Sequence, residues 1–284
     1  MLECVPNVSE GREREVLRAL ERACGPSLLD VHSDADHHRS VFTLVGPGDR
    51  DASAAVRSLA RAVDEHVDVS VHHGVHPRLG ALDVVPFVAL AGRPIVDAVR
   101  AAHDFAAWAS GELAVPVFLY GAAQRDGRTL PGVRAGAFRD IAPDAGPRVP
   151  HPRLGAIAVG ARPPMIAVNC ELDTDDLVLA RRIAATLRER DGGLPGVRAL
   201  GFPLVTAGRA QVSMNLVALG QTGLQAACDA VRAEARAAGR DVARVELVGL
   251  MPADELAGCT DEFVAFAGLT EAQTIEGRLA GRCS

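Results

Sequence analysis

Short apolar runs of strand length alternate along this chain with amphipathic segments of helix length, an order that favours sheets covered by helices over a helical bundle or an all-β sandwich. Strands are expected at residues 2–5, 28–32, 40–45, 82–88, 115–120, 156–159, 165–168, 210–216 and 245–250. Helices are expected to begin at Ser9, Asp51, Pro94, Asp173, Gln221 and Thr270, most of them behind a capping side chain or on a first-turn proline. Runs 28–32 and 40–45 lie too close together for a crossover helix, so these strands pair antiparallel and the expected class is α+β. Arg162, Pro163 and Pro164 stop one pattern before another starts at Met165, which divides the chain into subdomains 1–164 and 165–284.

Two hexapeptides recur. His-Pro-Arg-Leu-Gly-Ala occupies 76–81 and 151–156, and Leu-Pro-Gly-Val-Arg-Ala occupies 130–135 and 194–199. The offsets differ, so there is no regular repeat. Both copies of the first are expected to be turns that place a histidine and an arginine on a loop lip, through chance recurrence or through a shared grip on a ligand.

Charge and residue usage remove several chemistries. A net charge of -6 gives no uniform basic field for a nucleic-acid backbone. All 30 basic residues are arginine, which excludes lysine Schiff bases and the lysine of a phosphate-binding P-loop. The six cysteines are scattered without CxxC spacing, so reduced thiols are expected. No leader and no apolar run of membrane length stands out, and a cytoplasmic location with no membrane partner is expected.

The nine histidines all fall within the first 151 residues, so the proton-transfer chemistry is expected in this half. A metal-dependent hydrolase is one reading, with His72, His73 and His76 joined by Asp34, Asp36 or His38. Gly74 and Pro77 break the helical spacing it needs and no HExxH occurs, so no metal is expected. His66, His72 and His103 read as solvated loop residues, and His76 does not.

The segments 3–11 (ECVPNVSEG), 74–84 (GVHPRLGALDV), 116–121 (PVFLYG), 155–162 and 210–216 (AQVSMNL) resemble the formiminotransferase family in order and spacing across nearly the whole chain. The resemblance implies two sandwich-like subdomains, each a mixed or antiparallel sheet with helices on its outer face, with the sheets facing a ligand tunnel. It also implies a homodimer, a standalone transferase without the cyclodeaminase domain fused to some relatives, and formimidoylglutamate and tetrahydrofolate as substrates, the latter a co-substrate.

By the same resemblance His76 maps to the proton-transferring histidine, Asp83 to the family's aspartate, and 146–155 to the folate-binding loop. That loop contributes Gly146, Pro147, His151, Pro152, Arg153 and Gly155. A formimidoyl group is amidinium-like, which suits Asp83 to compensate its charge. Arg39, Arg78, Arg153 and Arg162 are candidates to grip substrate carboxylates, and Asn7, Asn169 and Asn215 to orient pterin or glutamate groups. His38, His73 and Ala122 stand where the family pattern has asparagine, lysine and glutamate. These departures bear on the donor, and a folate-binding paralogue with another donor or without transfer is the alternative reading.

Overall fold

A computed structural model of the chain describes residues 1–46, 49–74, 78–90 and 92–282. The chain divides into two compact units, Met1–Pro163 and Pro164–Ser284.

Among the described residues, unit 1 carries a seven-stranded mixed sheet. Its strands are β1 (Leu2–Cys4), β2 (Asn7–Val8), β3 (Leu28–Asp34), β4 (Arg39–Gly46), β5 (Leu82–Ala89), β6 (Val117–Gly121) and β7 (Ile157–Arg162). As the short link requires, β3 and β4 form an antiparallel hairpin, with Val31 opposite Phe42. β4 pairs with β1 and β2, which pair with β5, and all these contacts are antiparallel. β5, β7 and β6 run parallel, so β5 returns to β6 through the crossover helix α3 (Ile95–Glu112), as parallel pairing demands.

Alternation along a strand decides which side chains meet the helices. Val117 and Leu119 of β6 join Phe42, Leu44 and Phe87 in the main core with α1 (Arg14–Cys24), α2 (Asp49–His66) and α3. Phe118 and Tyr120 point the other way, into a smaller cluster with Val84, Ala158 and Val133 of the short helix α4 (Leu130–Gly136). Phe42, Phe87, Phe105 and Phe118 are wholly enclosed; burial of such a side chain contributes roughly 1.5–3 kcal/mol relative to exposure.

Among the described residues, unit 2 carries an antiparallel four-stranded sheet in the order β11-β8-β10-β9. Its strands are β8 (Ile166–Leu172), β9 (Val197–Leu204), β10 (Arg209–Leu216) and β11 (Val242–Val248). Val168, Cys170, Val212 and Met214 share a core with α5 (Leu177–Leu187) and α6 (Leu224–Ala237). The alternate positions Asn169, Glu171, Gln211 and Ser213 form the other face. Three short helices complete the unit, α7 (Ala253–Ala257), α8 (Asp261–Ala267) and α9 (Ile275–Ala280).

Three expectations are corrected. The first helix begins at Arg14 rather than Ser9, because the Glu10 carboxylate turns back on the N–H groups of Gly11, Arg12 and Glu13 at 2.8, 2.7 and 3.0 Å and makes a separate turn. The last begins at Ile275 rather than Thr270, where a capped 3-10 turn precedes it. β9 was not expected at all. Its Pro203 is tolerated because β9 lies at the sheet edge, where a missing N–H need not be paired.

Candidate active site

Asp83, near the start of β5, is completely buried and is reached from three other elements. Its Oδ2 accepts from Arg39 Nη1 and Arg134 Nη2, each at 2.5 Å. Its Oδ1 accepts from Arg134 Nη1 at 3.3 Å and from the backbone N–H groups of Leu79 and Gly80 at 2.5 and 3.4 Å. A carboxylate offers about four acceptor positions, so these donors saturate it. Burial alone would raise the Asp83 pKa; Arg39, Arg134 and the Leu79 N–H overcome burial and hold the carboxyl well below the usual range.

Local structure explains the approach of each partner. Arg39 is the first residue of β4, and its Nε and Nη2 donate to Asn7 Oδ1 at 3.1 and 2.9 Å, while Asn7 Nδ2 donates to Val5 O at 2.9 Å. Asn7 therefore fixes one edge of the guanidinium and Asp83 the other. Arg134 comes from α4, which starts at Leu130 with Pro131 in its first turn, behind a Thr129 cap whose hydroxyl accepts from Gly132 N–H at 3.2 Å.

The two His-Pro-Arg-Leu-Gly-Ala segments meet. Gly80 and Gly155 form an antiparallel bridge, Ala81 N–H donates to Leu154 O at 2.9 Å, and Ala156 N–H donates to Leu79 O at 3.1 Å. Each segment then leads into one of the parallel neighbours β5 and β7. Gly155 has φ +68, and a Cβ there would lie 2.5 Å from Leu79 O, so this close approach needs glycine. His151 Nδ1 accepts from the N–H groups of Arg153 and Leu154 at 3.3 and 3.0 Å. His76, with Val75 and Pro77, lies outside the described residues.

His72 is a correction to the solvated reading. It is half-buried, its ring centroid lies 3.8 Å from that of His38, and its Nδ1 accepts from Arg78 Nη1. Burial, then the neighbouring His38 and Arg78, push its pKa down to about 4, so it is neutral at pH 7. Its Nε2 is enclosed with no hydrogen-bond partner among the described residues. His38, at φ 50, accepts at Nδ1 from Gly11 N–H at 3.2 Å; burial lowers its pKa and Glu10 opposes that.

The remaining candidates have surroundings of their own, each described within its own unit. Gly146, Pro147 and Pro152 are exposed, and Gly146 takes φ +82. Arg153 Nη2 donates to Asp64 O at 2.9 Å, and Arg162 Nη1 to Pro163 O at 3.0 Å. Asn169 and Asn215 are inside β8 and β10, on one face of the unit 2 sheet, and Asn169 Nδ2 donates to Glu246 Oε2 at 3.0 Å. Arg134, absent from the sequence-based candidates, is a principal partner of Asp83. The Thr129 cap and Pro131 were the local signal for its helix. Among the described residues no group of three or more His, Cys, Asp or Glu side chains is arranged to hold a metal, and no helix is long and apolar enough to cross a membrane.

Comparison with known proteins places the chain in a family. Residues 1–162 match the model of the formiminotransferase domain, N-terminal subdomain, and residues 167–276 match that of the formiminotransferase domain. The chain is 37% identical to the glutamate formimidoyltransferase of Streptococcus pyogenes serotype M1, over 99% of both chains. It is 35% identical to the protein of that name from Thermoplasma acidophilum, over 98% of this chain and 97% of the other. It is also 41% identical to the formimidoyltransferase-cyclodeaminase of Gallus gallus, over 89% of this chain and 50% of that protein.

Proposed function

The chain belongs to the formiminotransferase family, and from that premise we propose that it moves a formimidoyl group from N-formimidoyl-L-glutamate to tetrahydrofolate, giving 5-formimidoyltetrahydrofolate and L-glutamate. The observation that carries this reading is similarity along the whole chain to two proteins named glutamate formimidoyltransferase. Residues 1–164 act as the catalytic subdomain and 165–284 as its companion. Tetrahydrofolate is a co-substrate, and no metal takes part. The chain works in the cytoplasm as a homodimer, which sedimentation equilibrium of the purified protein tests.

The reaction needs a mobile proton. Attack of the folate N5 amine on the formimidoyl carbon gives a tetrahedral intermediate; its collapse requires one proton to leave N5 and one to reach the departing glutamate amine. His76 performs both transfers, a contribution of about 10² to 10⁴ in rate. The loop 146–155 holds folate, with Arg78, Arg153, Asn7, Asn169 and Asn215 contacting polar groups of the substrates.

The test is an assay that follows 5-formimidoyltetrahydrofolate and released glutamate. His76→Ala is expected to lower kcat by at least about 10²-fold with folate affinity nearly unchanged, because a proton-transfer group acts mostly in the transition state. Near-normal turnover in that variant removes His76 from the role. Folate binding without turnover in the unaltered chain selects the folate-binding paralogue instead.

A further inference from the structure

The Arg78 guanidinium is met by a histidine. A guanidinium donates and has no acceptor, so the hydrogen bond from Arg78 Nη1 to His72 Nδ1 exists only while the His72 ring is neutral. The ring is fixed from behind: its centroid lies 3.8 Å from that of His38, whose Nδ1 accepts from Gly11 N–H at 3.2 Å. His38 itself sits at φ 50, a left-handed conformation that costs a residue with a Cβ and is kept where the surroundings enforce it. Gly74 completes the fit. A Cβ there would lie 2.5 Å from His37 O, 2.9 Å from His38 Cβ and 2.7 Å from Arg78 Nη2, so glycine lets the residues beside His72 lie this close to the hairpin turn and to Arg78.

We infer that His72 is the positioning residue for Arg78, a neutral acceptor that aims the guanidinium at the substrate, with the His38 ring as its support. The inference rests on the transferase reading, in which Arg78 contacts a polar group of a substrate. An imidazole suits this task because a neutral acceptor fixes the direction of a guanidinium without neutralising it, as a carboxylate in its place would. Among the described residues, the charged groups acting on the two rings are Arg78 together with Glu10, Arg12 and Glu13 ahead of α1. Burial and then the cations oppose protonation of the rings, and Glu10 favours it.

The test uses the full chain and the transferase assay. Leucine and asparagine have nearly the same shape, and of the two only asparagine carries an acceptor near the place of Nδ1. His72→Leu is expected to raise KM about 10-fold for the substrate whose KM also rises in Arg78→Gln, with kcat within about 3-fold, and His72→Asn to recover part of the loss. Adding His72→Leu to Arg78→Gln should bring little further change, since both act through one contact. Unchanged KM in His72→Leu overturns the positioning role, and so do equal effects of leucine and asparagine, multiplying effects in the double variant, or an Arg78→Gln variant with normal KM for both substrates. The ring gives a second readout in the unaltered chain, by NMR of histidine-labelled protein with the His72 signal assigned by its loss in whichever variant folds. It is expected to titrate at about 4, and titration at the ordinary value of about 6.5 overturns the neutral acceptor. If the unaltered chain shows no turnover, the transferase reading fails separately. Calorimetric titration of L-glutamate and of tetrahydrofolate then decides: binding of one weakened about 10-fold by both Arg78→Gln and His72→Leu supports the positioning role, and equal or undetectable binding in all three proteins overturns it.

Discussion

In unit 1 residues 130–135 form most of helix α4, while in unit 2 the identical residues 194–199 form a turn that runs into β9. The difference begins one residue upstream. Thr129 supplies a hydroxyl to the Gly132 N–H and starts the helix. Gly193, at the equivalent place, supplies none, and a Cβ there would lie 2.4 Å from the Leu187 carbonyl carbon and the Thr186 oxygen, so no capping residue fits. Gly196 then takes φ +70, whereas Gly132 is helical, and Val197 pairs with Leu216 instead of packing as Val133 does on β6. The outcome is that Arg134 reaches buried Asp83, while Arg198 stands exposed on a strand. Local sequence here permits two structures, and capping and tertiary pairing choose between them.

Substitutions at matched positions break or sharpen this contrast. The largest effect is expected at the glycines. Gly196→Ala forces a non-glycine residue into the left-handed region and meets Ala218 Cβ at 2.5 Å, a loss of about 1–3 kcal/mol. Gly132→Ala stays within about 1 kcal/mol, because alanine is the better helix residue and the nearest atom is the Thr129 hydroxyl at 3.3 Å. Urea unfolding of both variants measures this, and equal losses would show that backbone conformation does not separate the copies. Next comes Thr129→Ala, which should cost about 1 kcal/mol of stability; unchanged urea unfolding would remove the Thr129 hydroxyl as the device that starts α4. The smallest effect belongs to Arg198→Ala, expected within about 0.5 kcal/mol by the same unfolding measurement.

The alternation of strand and helix segments made the α+β class legible, and the short link between 28–32 and 40–45 made its hairpin legible. β9 escaped because Gly201 and Pro203 weaken the periodicity, and only its edge position, a property of the assembled sheet, makes them acceptable. In the site, Asp83, Arg39 and Asn7 were picked out and do converge. Arg134 was not, because the identical hexapeptide 194–199 carries its arginine, Arg198, exposed on a strand, and the contact of Arg134 with Asp83 is made only in the assembled fold. His72 was misread because its ring packs against His38, which the distant hairpin turn between β3 and β4 supplies.

The partners of Asp83 carry a kinetic implication. Arg39 and Arg134 are 44 and 51 residues from it in sequence, and Asn7 is 32 from Arg39, so each arginine contact of the cluster closes a long loop. Such closures are paid for in chain entropy before they return any stabilisation, and parallel pairing of β5 with β7 adds another. Refolding of unit 1 should therefore recover helical signal well before it recovers this cluster, whose completion marks the final step of folding and not the collapse that precedes it.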